Sequence, residues 1–328
     1  MHLRFCGSLV LAMMLCSGAH AAGNTPECVV PAKAGGGFDF TCKLVSSMLK
    51  GSRPAAEPAM AISYVPGGIG AVAFDRAVKE QLSDPGMLVA FSSGSLLNLV
   101  QGKFGQHRPD SVRWLAIVGT DYGIIAVKAG SRITSLKDLQ EELARGATRV
   151  VFGAGGTVGS QDWIKAALMV RAAGRDHRAM RFVSFEGGGE ALTALQGGHV
   201  DVYAGDASEV RAWLADKPGS IKVIAVLAGE RLPGVLSAVP TAREQGIDVV
   251  WPTVRGVYLG PGVSDADYRA WAASFDKAMA APGFGAMREA FGMYPMSLTG
   301  PSVGEFVSRK AAQYRALAKD LNLRVAPQ

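Results

Sequence analysis

The feature that most constrains this chain is a unit that keeps returning: a short apolar strand, a glycine-rich turn, then an amphipathic helix. Its clearest copy is Cys28-Val-Val-Pro-Ala-Lys-Ala-Gly-Gly-Gly-Phe-Asp-Phe-Thr-Cys42, where the glycines give way to an apolar stripe at Phe38, Cys42, Val45 and Leu49. That spacing is the 3.6-residue period of a helix. Similar strands at 61–65, 149–152 and 181–185 run into Pro66-Gly-Gly-Ile-Gly70, Gly153-Ala-Gly-Gly-Thr-Val-Gly-Ser160 and Glu186-Gly-Gly-Gly189. Further strands are expected at 87–91, 114–119, 123–128, 200–204, 221–227 and 254–259. Helices are expected over 135–144, 265–280 and 302–321, the last opened by the capping pattern Ser302-x-x-Glu305. Such alternation predicts an α/β fold of mostly parallel sheets with helices on both faces. Ligands of such sheets sit beyond the carboxyl ends of the strands, so the glycine turns should collect on the rims.

The amino terminus reads as an export leader. Met1-His-Leu-Arg4 is a short basic start, residues 5–15 are apolar, and Ala19-His20-Ala21 is a small-x-small cleavage site. The leader, 1–21, is too short to span a bilayer, and bulky Leu15 before Cys16 argues against a lipid anchor. The mature, exported chain then begins near Ala22 and carries a net charge of +5, against +6 for the whole. A mild excess of base suits an acidic ligand, but the basic residues are scattered and no aromatic platform accompanies them, so no nucleic-acid partner is expected. About 307 residues exceed one efficient core, which predicts two domains. Cys28 and Cys42 alone survive cleavage, and an even pair in an oxidising compartment suggests a disulfide. Two buried free thiols are the alternative.

The motifs point to anion capture more than to catalysis. A glycine turn lets backbone approach a ligand, and the helix start behind it offers unpaired N–H groups and a positive dipole end. Lys33 adds a charge just before the first turn, and Thr157 and Ser160 add hydroxyls to the third. A tight connection with no ligand is the alternative reading of each turn. The dinucleotide fingerprint fails because Val158 stands where its third glycine belongs, and no Gly-Lys-Ser/Thr closes a P-loop. There is no Gly-x-Ser-x-Gly elbow, and His107, His177 and His199 read as surface or turn residues without metal spacing. Neither a catalytic set nor a cofactor is therefore expected. Asp39, in a first helical turn, can serve the dipole alone. Asp206, at a strand end, could meet a ligand or cap a turn, and Ser93, in Ser92-Ser-Gly-Ser95, joins the ligand candidates. Arg255 lies in an apolar strand and needs a carboxylate partner, from the protein or from a ligand.

Four ordered stretches carry a resemblance over essentially the whole mature chain. They are Pro31-Ala-Lys-Ala-Gly-Gly-Gly-Phe-Asp39, Tyr64-Val-Pro-Gly-Gly-Ile-Gly70, Phe185-Glu-Gly-Gly-Gly-Glu-Ala-Leu-Thr-Ala-Leu-Gln-Gly-Gly-His-Val-Asp201 and Ala238-Val-Pro-Thr-Ala-Arg-Glu-Gln-Gly246. The chain resembles the extracytoplasmic solute receptors of tripartite tricarboxylate transporters, the Bug receptors. The resemblance implies a two-domain periplasmic binding protein closing like a flytrap, with domain 1 over 22–121 plus 231–328 and domain 2 over 122–230. It implies a ligand carboxylate held by backbone N–H groups at Ala34, Gly35, Gly36, Phe38 and Asp39, and at Gly156, Thr157 and Ser160. It also implies membrane transporter subunits as partners, and some members signal through a sensor kinase. The common Gly-Gly-Thr-Asp is Gly-Gly-Phe-Asp here, which removes a hydroxyl at Phe38. Phe38, the two cysteines, Lys33 and Arg255 look closest to the citrate branch. Citrate or another tricarboxylate is the favoured ligand, with dicarboxylates and aromatic or amino acid carboxylates as alternatives.

Overall fold

The computed structural model describes residues 25–50, 59–80 and 83–327, so the expected leader lies outside the described residues. The chain runs β1 (Glu27–Val30), α1 (Gly37–Lys50), β2 (Ala61–Tyr64), α2 (Ala71–Lys79), β3 (Met87–Ser92), α3 (Ser93–Val100) and β4 (Arg113–Lys128). It continues with α4 (Leu136–Arg145), β5 (Val151–Gly155), α5 (Gln161–Ala172), β6 (Arg181–Phe185), α6 (Gly188–Gly197), β7 (Val202–Asp206), α7 (Ala207–Asp216) and β8 (Ile221–Leu227). β9 (Pro252–Leu259), α8 (Asp265–Ala280), α9 (Phe284–Ala290), β10 (Leu298–Thr299) and α10 (Pro301–Asp320) complete it.

The strands form one curled sheet in the order β2-β1-β3-β9-β4-β7-β5-β6, with β8 and β10 also paired to β4. The two ends obey the parallel expectation: β1 pairs parallel with β2 and β3, and β5 with β6 and β7. The middle does not. β9 enters antiparallel between β3 and β4, and β7 and β8 flank the far half of β4 antiparallel. Moreover, β4 is one 16-residue strand where the sequence suggested two. Its residues 113–122 pair with β9, and its residues 123–128 with β7 and β8. A single strand thus ties the two halves of the sheet together, and Asp121 sits at the changeover.

Apolar periodicity accounts for most of the helices, including α8 at its expected bounds. The last helix differs: Pro301 supplies its first turn, where a missing N–H costs nothing, and Ser302 donates to the Thr299 carbonyl instead of capping. β1 and α1 are joined by a Cys28–Cys42 disulfide, with Cα atoms 5.6 Å apart and both residues fully buried. His177 proves buried, its ring facing the Leu321 carbonyl. Among the described residues no helix is long and apolar enough to cross a membrane.

Candidate functional site

Five helices begin at one cleft. The starts of α1, α3, α5, α6 and α7 all line it, through Gly36–Phe38, Ser92 and Gly94, Ser160–Asp162, Gly187–Glu190, and Asp206 with Glu209. Its cavity volume is about 100 Å³. The reason is topological: each of these helices follows a strand whose carboxyl end reaches the same rim. Helix starts leave backbone N–H groups unpaired and carry the positive end of the dipole, so the walls attract an anion. Glycine makes the approach possible. A Cβ on Gly37 would overlap the Arg255 guanidinium, and Gly156 holds φ +84°, a left-handed value that other residues rarely adopt. Ile69, on the cleft wall, holds φ 54°, a strained value of the kind found at ligand clamps.

Of the candidate residues, the structure places Lys33, Ala34, Gly36, Phe38, Gly156, Ser160, Asp206 and Arg255 on the cleft wall. Four other candidates do not line it. Gly35 turns its N–H to the Asp39 carboxylate at 2.8 Å, and Asp39 also takes the Tyr64 hydroxyl at 2.9 Å and Lys43 at 2.8 Å, so it is a buried turn clamp. Ser93 accepts the Val254 N–H at 3.0 Å, tying α3 to β9; its neighbours Ser92, Gly94 and Asn98 reach the cleft instead. Thr157 lies on the surface with its hydroxyl toward Lys103. The N–H of Gly156 is spent on the Phe185 carbonyl, and Ser160 Oγ caps α5 by accepting from Trp163.

Both cations expected to meet the ligand are already paired. Lys33 reaches across the cleft to Glu190 at 2.6 Å, both side chains being about half exposed. Arg255, 3% exposed, donates to Asp206 at 2.6 Å and Asp121 at 3.1 Å, so its carboxylate partners come from the protein. A third cation was not anticipated. Lys165, fully buried in α5, binds Asp162 at 2.7 Å, Asp206 at 2.5 Å and the Gly205 carbonyl at 3.0 Å. Burial works against the Asp206 charge, but Lys165 and Arg255 outweigh it and hold that carboxyl below its ordinary value. Burial also drives Asp162 up to about 6 despite Lys165. Glu209 rises to about 7, through burial and repulsion from Asp206 and Asp162. Glu209, Asp162 and Gln161 all line the cleft. The Gln161 helix start was expected to offer N–H donors, but the two acids occupy ordinary helical positions, and an acid in a first helical turn is the signal that could have found them.

Among the described residues no cluster of His, Cys, Asp and Glu is disposed to hold a metal ion. The arrangement offers what a small anion needs for capture: several helix starts facing one cavity, with glycine backbone along its wall.

Comparison with known proteins adds a family and a fold. Residues 108–323 match the model of the tripartite tricarboxylate transporter family receptor. The "UPF0065 protein in gbd 5'region" of Cupriavidus necator is 21% identical over 210 residues, which are 63% of this chain and 61% of that protein. MatC from Rhodopseudomonas palustris, solved with bound malate, superposes with a TM-score of 0.76 at 21% identity, covering 89% of this chain and 98% of that one. Rpa4515 of R. palustris, solved with adipate, gives 0.81 at 18% identity, covering 93% and 98%.

Proposed function

The chain belongs to the tripartite tricarboxylate transporter receptor family, and on that premise we propose that it captures one small carboxylate in the cleft for the transporter's membrane subunits. The observation that carries this reading is the convergence of five helix starts on one glycine-lined cavity. A carboxylate there would take N–H groups of the 34–38 turn from one side and the start of α5 from the other. The relatives with malate and adipate support a dicarboxylate-sized ligand. Citrate remains a candidate, but among the described residues Lys33 and Arg255, the cations on the cleft wall, are both paired, so a ligand with fewer carboxylates fits better.

The proposed lobes are 22–121 plus 231–328, and 122–230. Backbone bonds of Val226 and Leu227 with Pro240, Ala242 and Trp251 support moving that boundary so that residues 231–251 join the second lobe. The lobes then meet at Asp121–Tyr122 in β4 and at the start of β9. Ligand touching both rims shifts an open–closed equilibrium toward closed, since only the closed state offers both sets of contacts.

Calorimetric titration of ligand-free mature protein with citrate, tricarballylate, succinate, glutamate and nicotinate tests this. One-to-one binding without turnover, together with a more compact scattering envelope, is the expected result. Silence across the panel would remove the carboxylate reading, and conversion of a bound acid would make the protein an enzyme.

A further inference from the structure

We infer that the cleft is built for a zwitterion, a ligand with an ammonium group beside its carboxylate, and that Glu209 is the residue that selects for it. This rests on the receptor reading above and narrows it.

The first observation is a charge imbalance at and behind the cleft wall. Asp162, Asp206 and Glu209 line the cleft and Asp121 is buried behind them; among the described residues, the cations paired with this group are Lys165 and Arg255. The three aspartates each have a cation within salt-bridge distance. Glu209 has none among the described residues, and its hydrogen-bond partner is the Tyr203 hydroxyl. The second observation is position. Glu209 Oε1 would stand 3.4 Å from a Cβ on Gly36, so it faces the first glycine turn from the opposite wall. A ligand whose carboxylate takes N–H groups of that turn sets its adjacent substituent beside Glu209. The third is a lone acceptor nearby. Gln161 Oε1, also at the cleft, is buried with no partner, while its amide donates to Asp206. An acceptor without a donor and a carboxyl that has one hydroxyl donor but no cation ask the ligand to bring donors, and a second carboxylate placed there would meet like charge. The upward displacement of the Glu209 carboxyl is what a carboxyl lacking its counter-ion should show.

Succinate, malate and aspartate share one skeleton and carry H, OH and NH3+ at the same carbon, so titrating the three, with the pair glutarate and glutamate and with citrate, isolates the substituent. The amino member should bind about 10–100-fold more tightly than its unsubstituted partner, the range of one charge-assisted hydrogen bond. Its binding at pH 7 should release protons as Glu209 ionises against the ammonium, seen as a dependence of the heat on buffer. In Glu209→Gln the amino acids should lose about 10–100-fold while succinate holds or tightens. If succinate, glutarate or citrate binds as tightly as the amino acids, the receptor reading survives and this one falls. If every acid is silent, both fall. The comparison within the wild-type protein needs no variant, so a misfolded Glu209→Gln does not spare the inference.

Discussion

Replacing Arg255 by alanine tests whether its ion pairs are the joint between the two halves of the sheet. The guanidinium is 3% exposed and bonded to Asp206 on β7 and Asp121 at the β4 changeover. Removing it leaves two buried carboxylates facing each other with Lys165 as the remaining cation. Breaking a buried pair from one side costs about 3–5 kcal/mol. An independent ceiling comes from protonation: at pH 7 the fold can relieve itself by moving one carboxyl from 3.8 to neutrality, which costs about 4 kcal/mol at 1.36 per unit. Both routes place the loss near 3–4 kcal/mol. The sign of its pH dependence follows from Asp206. That carboxyl is held below its ordinary value, so its pairs contribute stability above pH ~4 that fades as pH falls through the folded value. Urea unfolding of wild type and Arg255→Ala should therefore differ most at pH 7–8 and converge only as pH drops below ~4, through the lowered Asp206 value. Adding Asp206→Asn should cost less than the sum of the single losses. A loss under about 1 kcal/mol at pH 7, or one that ignores pH, would refute the pairing as the structural joint.

Four further outcomes are expected. Reducing Cys28–Cys42, which lie 14 residues apart, should lower unfolding stability by about 3 kcal/mol in the chain-entropy account; an unchanged urea midpoint in dithiothreitol would contradict it. Glu209 is raised from 4.5 to about 7, so ionising it weakens the fold as pH rises through that interval. Glu209→Gln should then gain on the order of 1–3 kcal/mol over wild type at pH 8, a gain that shrinks as pH falls and vanishes below the unfolded value of 4.5, read from the same unfolding curves. Gly37→Ala should destabilise by about 1–3 kcal/mol or displace Arg255, because its Cβ has no room beside the guanidinium; near-neutral behaviour in calorimetry would disprove the close approach. Lys33→Ala removes an exposed, solvent-screened bridge across the cleft, so the unfolding midpoint should barely move. Small-angle scattering of the ligand-free variant should nevertheless shift toward the open envelope, and an unchanged envelope would exclude a latch.

The strand–turn–helix units were legible because glycine and hydrophobic period are local signals. The antiparallel centre was not, since β9 finds its place between β3 and β4 more than 120 residues after either, and no local pattern encodes that pairing. The misreading of β4 is instructive. Gly119-Thr-Asp-Tyr-Gly123 looks like a turn because a polar run between glycines breaks the apolar alternation. In the fold those residues stay extended, and Asp121 is tolerated at the centre because Arg255 and the Ser208 hydroxyl, at 2.6 Å, meet it. A polar residue inside a strand was a sign of its buried partner, and the same holds for Arg255 itself.

The cleft shows a different limit. Asp39, Asp162, Glu190 and Glu209 each stand in the first turn of a separate helix. Taken one at a time, each is an ordinary complement to its own dipole, and Asp39 with its clamp on Gly35 is just that. Topology changes their meaning by bringing the helix starts to one cavity. α3, whose first turn has no acid, keeps its positive end at the cleft unopposed, while Glu209 faces the Gly36 turn without a cation. A wall that attracts a carboxylate therefore stands opposite an acid that repels a second one. The charge that a ligand must carry is set by that sum over five helices, which no single stretch of the sequence contains.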